Sequence, residues 1–468
     1  MPTSWAEPCF LICVVDRLSA RNRCFGPSLV PHFLVEFVMP DSVSPRFSQR
    51  SQWAKDQAIS FLMQQAVENR DVISLAAGLV DEASLPVAEC RQSFDGLFSN
   101  ERQARLALQY GTTAGADVLR EQLRLHLARQ EHCSVEELGV DASQFVLTTG
   151  SQQLLALVAD ALFDPGDICL VAAPTYFVFL GVLNGVGARA IAIDTDEYGM
   201  KTNALEAELS RLNASGELSR VKLIYLVSYY ENPSGVSLLA ERRREVVEIA
   251  RRWSHYQRLF VLEDAAYREL RYDGDELPSA WGCDKSRDTV ILAQTFSKSF
   301  SPGVRVGYGV LPAELVGPVC DLKGNTDFGS ANLNQHLLTA VLSSGRYVSH
   351  VDQVRAAYRA KRDAMLQALD REFDGVPGVT WLRPDGGLYV WLSVPEQIET
   401  GFKSRMFQLA AKSHRVMYVP GELCYPAGST RQRKNQMRLS FGVQNAAGIA
   451  EGIKRLAAAV RERIVENK

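Results

Sequence analysis

Between Phe145 and Leu311 the chain repeats one device: a short apolar run rich in β-branched residues, then a stretch whose apolar residues recur at helical spacing. Phe145–Leu147, Ile168–Val171, Ala190–Ile193, Leu223–Val227, Leu259–Leu262, Val290–Leu292 and Tyr308–Leu311 are predicted as strands. Between them, Leu154, Leu157, Val158, Ala161 and Leu162 keep one helical face, as do Val246, Val247, Ile249, Ala250 and Trp253. A helix between two strands carries the chain back to its starting edge, so the strands run parallel. The expected fold class is therefore α/β, with a large domain whose mainly parallel seven-stranded sheet is sandwiched by helices. After about residue 345 the alternation stops. A long helix is predicted over Val348–Phe373, strands over Val379–Leu382, Leu388–Leu392 and Met437–Leu439, and a last helix over Ala446–Ile464. This reads as a smaller α+β domain. The predicted division is residues 1–48 as an extension, 49–85 as a segment joining the small domain, 86–344 as the large domain and 345–468 as the small one.

Composition narrows the class of partner. Across 468 residues, 46% hydrophobic and 22% charged, 51 basic residues face 54 acidic ones for a net charge of −3. No basic cluster suits a nucleic-acid groove or an anionic membrane, which leaves a small molecule. The nine cysteines form no CxxC pair and are odd in number, so neither a disulfide framework nor a zinc or other metal site is expected. A reducing cytoplasm is the simpler compartment. The apolar run Cys9–Val15 is far shorter than the roughly 20 residues a membrane span needs, and only Glu7 carries charge before it, so no secretory signal is expected. The first 40 residues, with Met39 just before the patterned region, read as a loose extension or a mis-assigned start. Gly185-Val-Gly187-Ala-Arg-Ala190 has the dinucleotide-binding glycine spacing, but it follows a helical run and precedes a strand. A turn back to the sheet is the expected reading.

Four segments at predicted strand ends carry chemistry. In Thr295-Phe-Ser-Lys298-Ser-Phe-Ser-Pro-Gly-Val-Arg305, an amine sits among hydroxyls and is followed seven residues later by a guanidinium. That suits a Schiff base beside a phosphate; a solvated loop lysine is the plain alternative. Thr149-Gly150-Ser151-Gln152 runs from strand into helix, where free N–H groups and the helix dipole cradle an anion, although Ser151 alone could be only a cap. Glu263-Asp264 ends an apolar strand. Asp264, costly to bury without a cation, suits a protonated pyridine nitrogen, with helix capping as the alternative, and Glu263 is expected on the opposite face. Asn232, in Asn232-Pro-Ser-Gly235, can donate to a phenolic oxygen. Together these are the requirements of pyridoxal 5′-phosphate (PLP), and strand ends are where parallel sheets bind ligands.

From about residue 50 onward the sequence resembles the fold-type I PLP-dependent class I/II aminotransferases, within them the kynurenine/α-aminoadipate aminotransferase-like group. The resemblance implies that Lys298 forms the internal aldimine and then moves the substrate α-proton. It implies that Thr295, Ser297, Arg305, Ser151 and Gln152 hold the phosphate, that Asp264 pairs with the pyridine nitrogen, and that Tyr267 and Asn232 bind the ring oxygen. Tyr176, in Pro174-Thr-Tyr176, matches the aromatic that stacks on the ring. Tyr110 resembles the tyrosine reaching the phosphate of the neighbouring subunit, Arg438 the clamp on the substrate α-carboxylate, and Gly78 the glycine at the substrate entrance. The implied activity is ping-pong transfer of an amino group from an amino acid to a 2-oxo acid, 2-oxoglutarate or pyruvate, by a homodimer with shared sites. Asn232-Pro-Ser-Gly235 departs from the usual Asn-Pro-Thr-Gly but keeps the hydroxyl, and no convincing match appears for recognition of the distal part of the substrate. A PLP-dependent lyase, decarboxylase or cyclopropane-forming synthase is the alternative, since cofactor chemistry branches. A PLP-binding regulatory module is more remote: the widely spaced arginines of residues 1–50 do not suggest a DNA-binding winged helix.

Overall fold

All seven expected strands form and share one sheet. In chain order they are β1 (Phe145–Thr148), β2 (Ile168–Ala173), β3 (Arg189–Asp196), β5 (Val221–Leu226), β6 (Phe260–Asp264), β7 (Val290–Thr295) and β8 (Gly307–Val310), with β4 (Gly199–Met200) as an unpredicted eighth. The computed structural model describes residues 45–54 and 71–467. The expected extension over residues 1–48, with its apolar run, therefore lies almost wholly outside the described residues. Phe47–Lys468 make up one compact unit.

The sheet order is β1-β8-β7-β6-β5-β2-β3-β4. β3, β2, β5, β6 and β7 pair in parallel, while β8 runs antiparallel to both β1 and β7. Every residue of β1, β2, β6 and β8 is buried, as expected of strands covered on both faces. β4 is a two-residue return after β3, turned at Gly199 with φ +90°, too short to show an alternating pattern. The Gly185–Gly187 stretch is the expected turn: a helix, Phe177–Gly185, ends there and Gly187 takes φ +75° before β3 starts.

The reversal of β8 matters for function. Parallel strands send their C-terminal ends to one edge, and an antiparallel strand sends its N-terminal end to the same edge. The loop entering β8, with Arg305, thereby joins the loops leaving β1, β2, β5, β6 and β7.

A second sheet, antiparallel throughout, has the order β9 (Thr380–Trp381), β10 (Tyr389–Ser393), β12 (Gln436–Ser440), β11 (Val419–Pro420). The helix Arg346–Phe373 buries Tyr347, Val351, Val354, Tyr358, Met365 and Leu369 along one stripe. It packs against the helix Ala446–Glu466, which buries Ile449, Ile453, Leu456 and Val460. Ile73–Ser74 pairs with Val416–Met417, and Ser440 N donates to Leu75 O, which fixes the chain entering Ala76–Gly78 beside β12.

Candidate active site

Where β1 passes into the helix Ser151–Leu162, the turn is made by Gly150 with φ +73°. A Cβ there would stand 2.9 Å from the Arg305 guanidinium, and one on Gly307 would stand 2.5 Å from Ser151 N. Two glycines thus leave open the space in front of the first helical N–H groups, which have no partner within the helix. Thr295 Oγ1 donates to Ser297 Oγ at 3.0 Å, and Arg305 donates to Thr149 O at 3.1 Å and Pro302 O at 3.2 Å. N–H groups, hydroxyls and a guanidinium face one small space, the donor set of a phosphate site.

Across the same cavity stands Asp264, the last residue of β6. It accepts from Tyr225 Oη at 3.0 Å and Ala266 N at 3.3 Å. Burial pushes its carboxyl up to about 6 against the opposing pull of those two bonds. No cation pairs with it among the described residues. Glu263 points the other way, as strand alternation requires, accepting from Ser228 Oγ at 2.6 Å and from Ala280 N and Trp281 N at the start of a short helix.

Lys298 Nζ donates to Gly78 O at 2.7 Å. Burial lowers its pKa, helped by the cations Arg438 and Arg305 and opposed by Tyr389. Arg438, buried on β12, donates through Nη1 to Asn232 Oδ1 and through Nη2 to Ala76 O, each at 2.8 Å. Its Nε is buried with no hydrogen-bond partner among the described residues. An arginine only donates, so it takes the amide oxygen of Asn232 and leaves the amide NH2 for the cavity. Tyr267 Oη donates to Tyr389 Oη at 3.2 Å, and Tyr176 Oη donates to Gln152 Oε1 at 3.4 Å. Burial pushes both the Tyr176 and Tyr267 phenols up.

Gly78, Ser151, Gln152, Tyr176, Asn232, Asp264, Tyr267, Thr295, Ser297, Lys298 and Arg305 line one cavity of about 240 Å³. Such an arrangement can hold a flat, anionic, nitrogen-protonated ring and put an amine beside it. The family model for class I and II aminotransferases matches residues 70–456. The chain belongs to that family.

Its relatives agree with the geometry. An aromatic-amino-acid aminotransferase of Thermococcus litoralis is 33% identical over 89% of this chain and 94% of its own length. A kynurenine aminotransferase of Pyrococcus horikoshii, solved in complex with PMP, superposes with a TM-score of 0.81 at 33% identity over 89% of this chain and 97% of that one. An α-aminoadipate aminotransferase of Thermus thermophilus, complexed with N-(5′-phosphopyridoxyl)-L-leucine, gives 0.77 at 30% identity over 90% and 98%. The chain is a PLP-dependent aminotransferase with amino acid substrates.

Two expected residues of the aminotransferase lie off the cavity wall. Arg438 stands behind Asn232, touching it directly. Tyr110 is 88% exposed and lines no part of the cavity of its own chain. Two residues escaped the sequence reading. Tyr225 is the partner of Asp264, and Tyr389 is the partner of Tyr267. Each is a phenol in a mostly apolar strand, and a buried phenol needs a partner; that is the available signal.

Proposed function

We propose that the enzyme transfers the amino group of an α-amino acid to 2-oxoglutarate or pyruvate by a ping-pong mechanism, as a cytoplasmic homodimer with shared sites. Arg438 carries this reading: a buried guanidinium held by Asn232 and Ala76 O, with Nε unpartnered among the described residues, and near enough to the Lys298 amine to lower its pKa. Its fork suits an α-carboxylate. Amino acids and 2-oxo acids both present that group, so one clamp serves both half-reactions in turn.

The residues fit PLP on three counts: the glycine-lined cradle, the buried carboxylate of Asp264 with no cation beside it among the described residues, and the recessed amine of Lys298. Ser151, Gln152, Thr295, Ser297 and Arg305 would hold the phosphate, Asp264 the ring nitrogen, Asn232 and Tyr267 the ring oxygen, and Tyr176 the ring face. When bound, PLP supplies an electron sink that acidifies the Cα–H of the amino acid. Lys298, its pKa lowered, takes that proton at Nζ and returns it on the other side of the transfer. Asp264 keeps a proton on the ring nitrogen, and Gly78 leaves room where the substrate enters.

The test is a screen of amino donors against 2-oxoglutarate and pyruvate, reading the matching oxo acid. Its stoichiometric formation, with parallel double-reciprocal plots, is the expected result. Release of ammonia or carbon dioxide instead would establish the lyase or decarboxylase reading.

Exposed apolar side chains support the dimer. Leu106, Leu108, Tyr110 and Phe328 are all solvent-facing, in segments tied together by Asn332, which donates to Leu106 O and Gln109 O, and by Thr113, which donates to Phe328 O. The same region meets the phosphate cradle, because Gln153 Nε2 donates to Asp327 Oδ2 at 2.7 Å. The cytoplasmic assignment is supported by the free state of every cysteine among the described residues, and no described helix is long and apolar enough to cross a membrane. If Tyr110 serves the neighbour's site, mixing Tyr110→Ala and Lys298→Ala subunits puts both lesions in one site and leaves the other intact. Activity should return on verified subunit exchange, given that Tyr110→Ala alone is clearly impaired. No recovery would assign Tyr110 to its own chain.

A further inference from the structure

Tyr389 stands at the start of β10, entered through Gly386-Gly387, where both glycines allow close approach to Tyr230. It pairs with Ser440 of β12, which makes Arg438 its diagonal neighbour on the same sheet face. The guanidinium carbon of Arg438 lies 4.2 Å from the centre of the Tyr389 ring. The Tyr267 and Tyr389 rings meet edge to face at 5.8 Å, with their hydroxyls 3.2 Å apart. A Cβ on Gly78 would stand 3.1 Å from Tyr389 Oη, and Gly78 O is the acceptor for Lys298 Nζ. One side chain thus touches the carboxylate clamp, the ring-oxygen tyrosine and the glycine beside the reacting amine.

We propose that Tyr389 is a positioning residue for transamination: its ring is the platform that orients Arg438, and its hydroxyl takes the hydrogen bond of Tyr267 and so tunes that donor. The charge around it supports this. Arg438, Lys298, Tyr267, Tyr176, Tyr358 and Cys424 face it from the surrounding elements. Burial raises the Tyr389 phenol, but Arg438, then Lys298 and the bond from Tyr267 outweigh it, and the net shift is downward. The neighbouring phenols of Tyr267, Tyr176 and Tyr225 move upward. A hydroxyl held toward its anionic form is a strong acceptor, so the proton of Tyr267 is drawn toward Tyr389 and away from whatever else Tyr267 could donate to.

Phenylalanine and leucine separate the two roles, since Phe keeps the ring platform without the hydroxyl and Leu keeps neither. In the protein without cofactor, the tyrosinate absorbance is followed against pH. Wild type minus Tyr389→Phe should show one tyrosinate that forms earlier than the bulk; one that forms with the bulk or later overturns the hydroxyl role. The proposal rests on the aminotransferase reading, but this titration needs no turnover, so the two can fail separately. With PLP bound, Tyr267 in Tyr389→Phe donates undivided, and the pH midpoint of the visible cofactor band should fall by about half a unit or more. An unchanged or raised midpoint counts against it. The KM of the amino donor should stay within about twofold in Tyr389→Phe and rise about thirtyfold in Tyr389→Leu, the size of a desolvated cation–π contact. Equal KM values in the two variants would remove the platform role.

Discussion

Lys298→Ala is expected to lower the rate of Cα proton transfer by about 10⁴-fold or more, because it removes the only amine that the described residues place on the cavity wall and with it both the proton carrier and the covalent anchor. Cofactor capture should survive in weakened form, since the cradle formed by Gly150, Ser151, Ser297 and Arg305 does not involve the lysine side chain. The two functions are therefore separable in one variant. Exchange of the donor's α-hydrogen with solvent deuterium, followed by NMR, reads the first; equilibrium dialysis against PLP reads the second. In the wild type, borohydride reduction should place a phosphopyridoxyl mass on the peptide containing Lys298. A label on another lysine, or exchange within tenfold of wild type in Lys298→Ala, would show that the proton moves through a different group.

The sequence was readable where function depends on short chain segments. Gly150–Gln152, Asn232, Asp264 and Thr295–Lys298 each lie within a few residues of a strand end, and an apolar run broken by a polar cluster marks that end directly. The strands themselves were legible because burial on both faces demands continuous hydrocarbon. Direction was not. The pattern of β8 resembles that of its parallel neighbours, yet it runs antiparallel, because Thr295 to Gly307 is too short to hold a crossover helix. The two-residue strands at Gly199, Val416 and Val419 are too short for a period-2 signal. Tyr225 and Tyr389 were hidden for a different reason. Each sits in an ordinary strand pattern, and its importance comes from one contact made across the fold, Tyr225 to Asp264 and Tyr389 to Tyr267. Arg438 stood out only through family resemblance, since nothing local distinguishes it from any other arginine on a strand.

Asp264→Asn should make opposite changes to stability and to activity. In the protein without cofactor, burial raises the Asp264 carboxyl from 3.8 to about 6. The stability this group contributes is fully present below its unfolded value and is lost as pH rises through about 6, a loss of roughly 3 kcal/mol at about 1.4 kcal/mol per unit. Asparagine has nearly the same shape, can still accept a hydrogen bond from Tyr225 or Ala266, and carries no charge to desolvate. Without PLP, Asp264→Asn should therefore melt higher than wild type at pH 8, with the difference closing by pH 4. With PLP the order should reverse. The ring cation would give the wild-type carboxylate the partner that no described residue supplies, so the wild type should gain more thermal stability from the cofactor than the variant does. The neutral amide cannot hold the proton on the ring nitrogen, and kcat/KM should fall about 10³-fold, the effect of removing one preorganised electrostatic contact. Thermal melts with and without PLP at the two pH values, set beside steady-state rates, decide the matter. A variant that loses stability at pH 8 without cofactor would show that Asp264 is held by a partner other than those described. A variant that keeps its rate would mean that the carboxylate does not act on the ring.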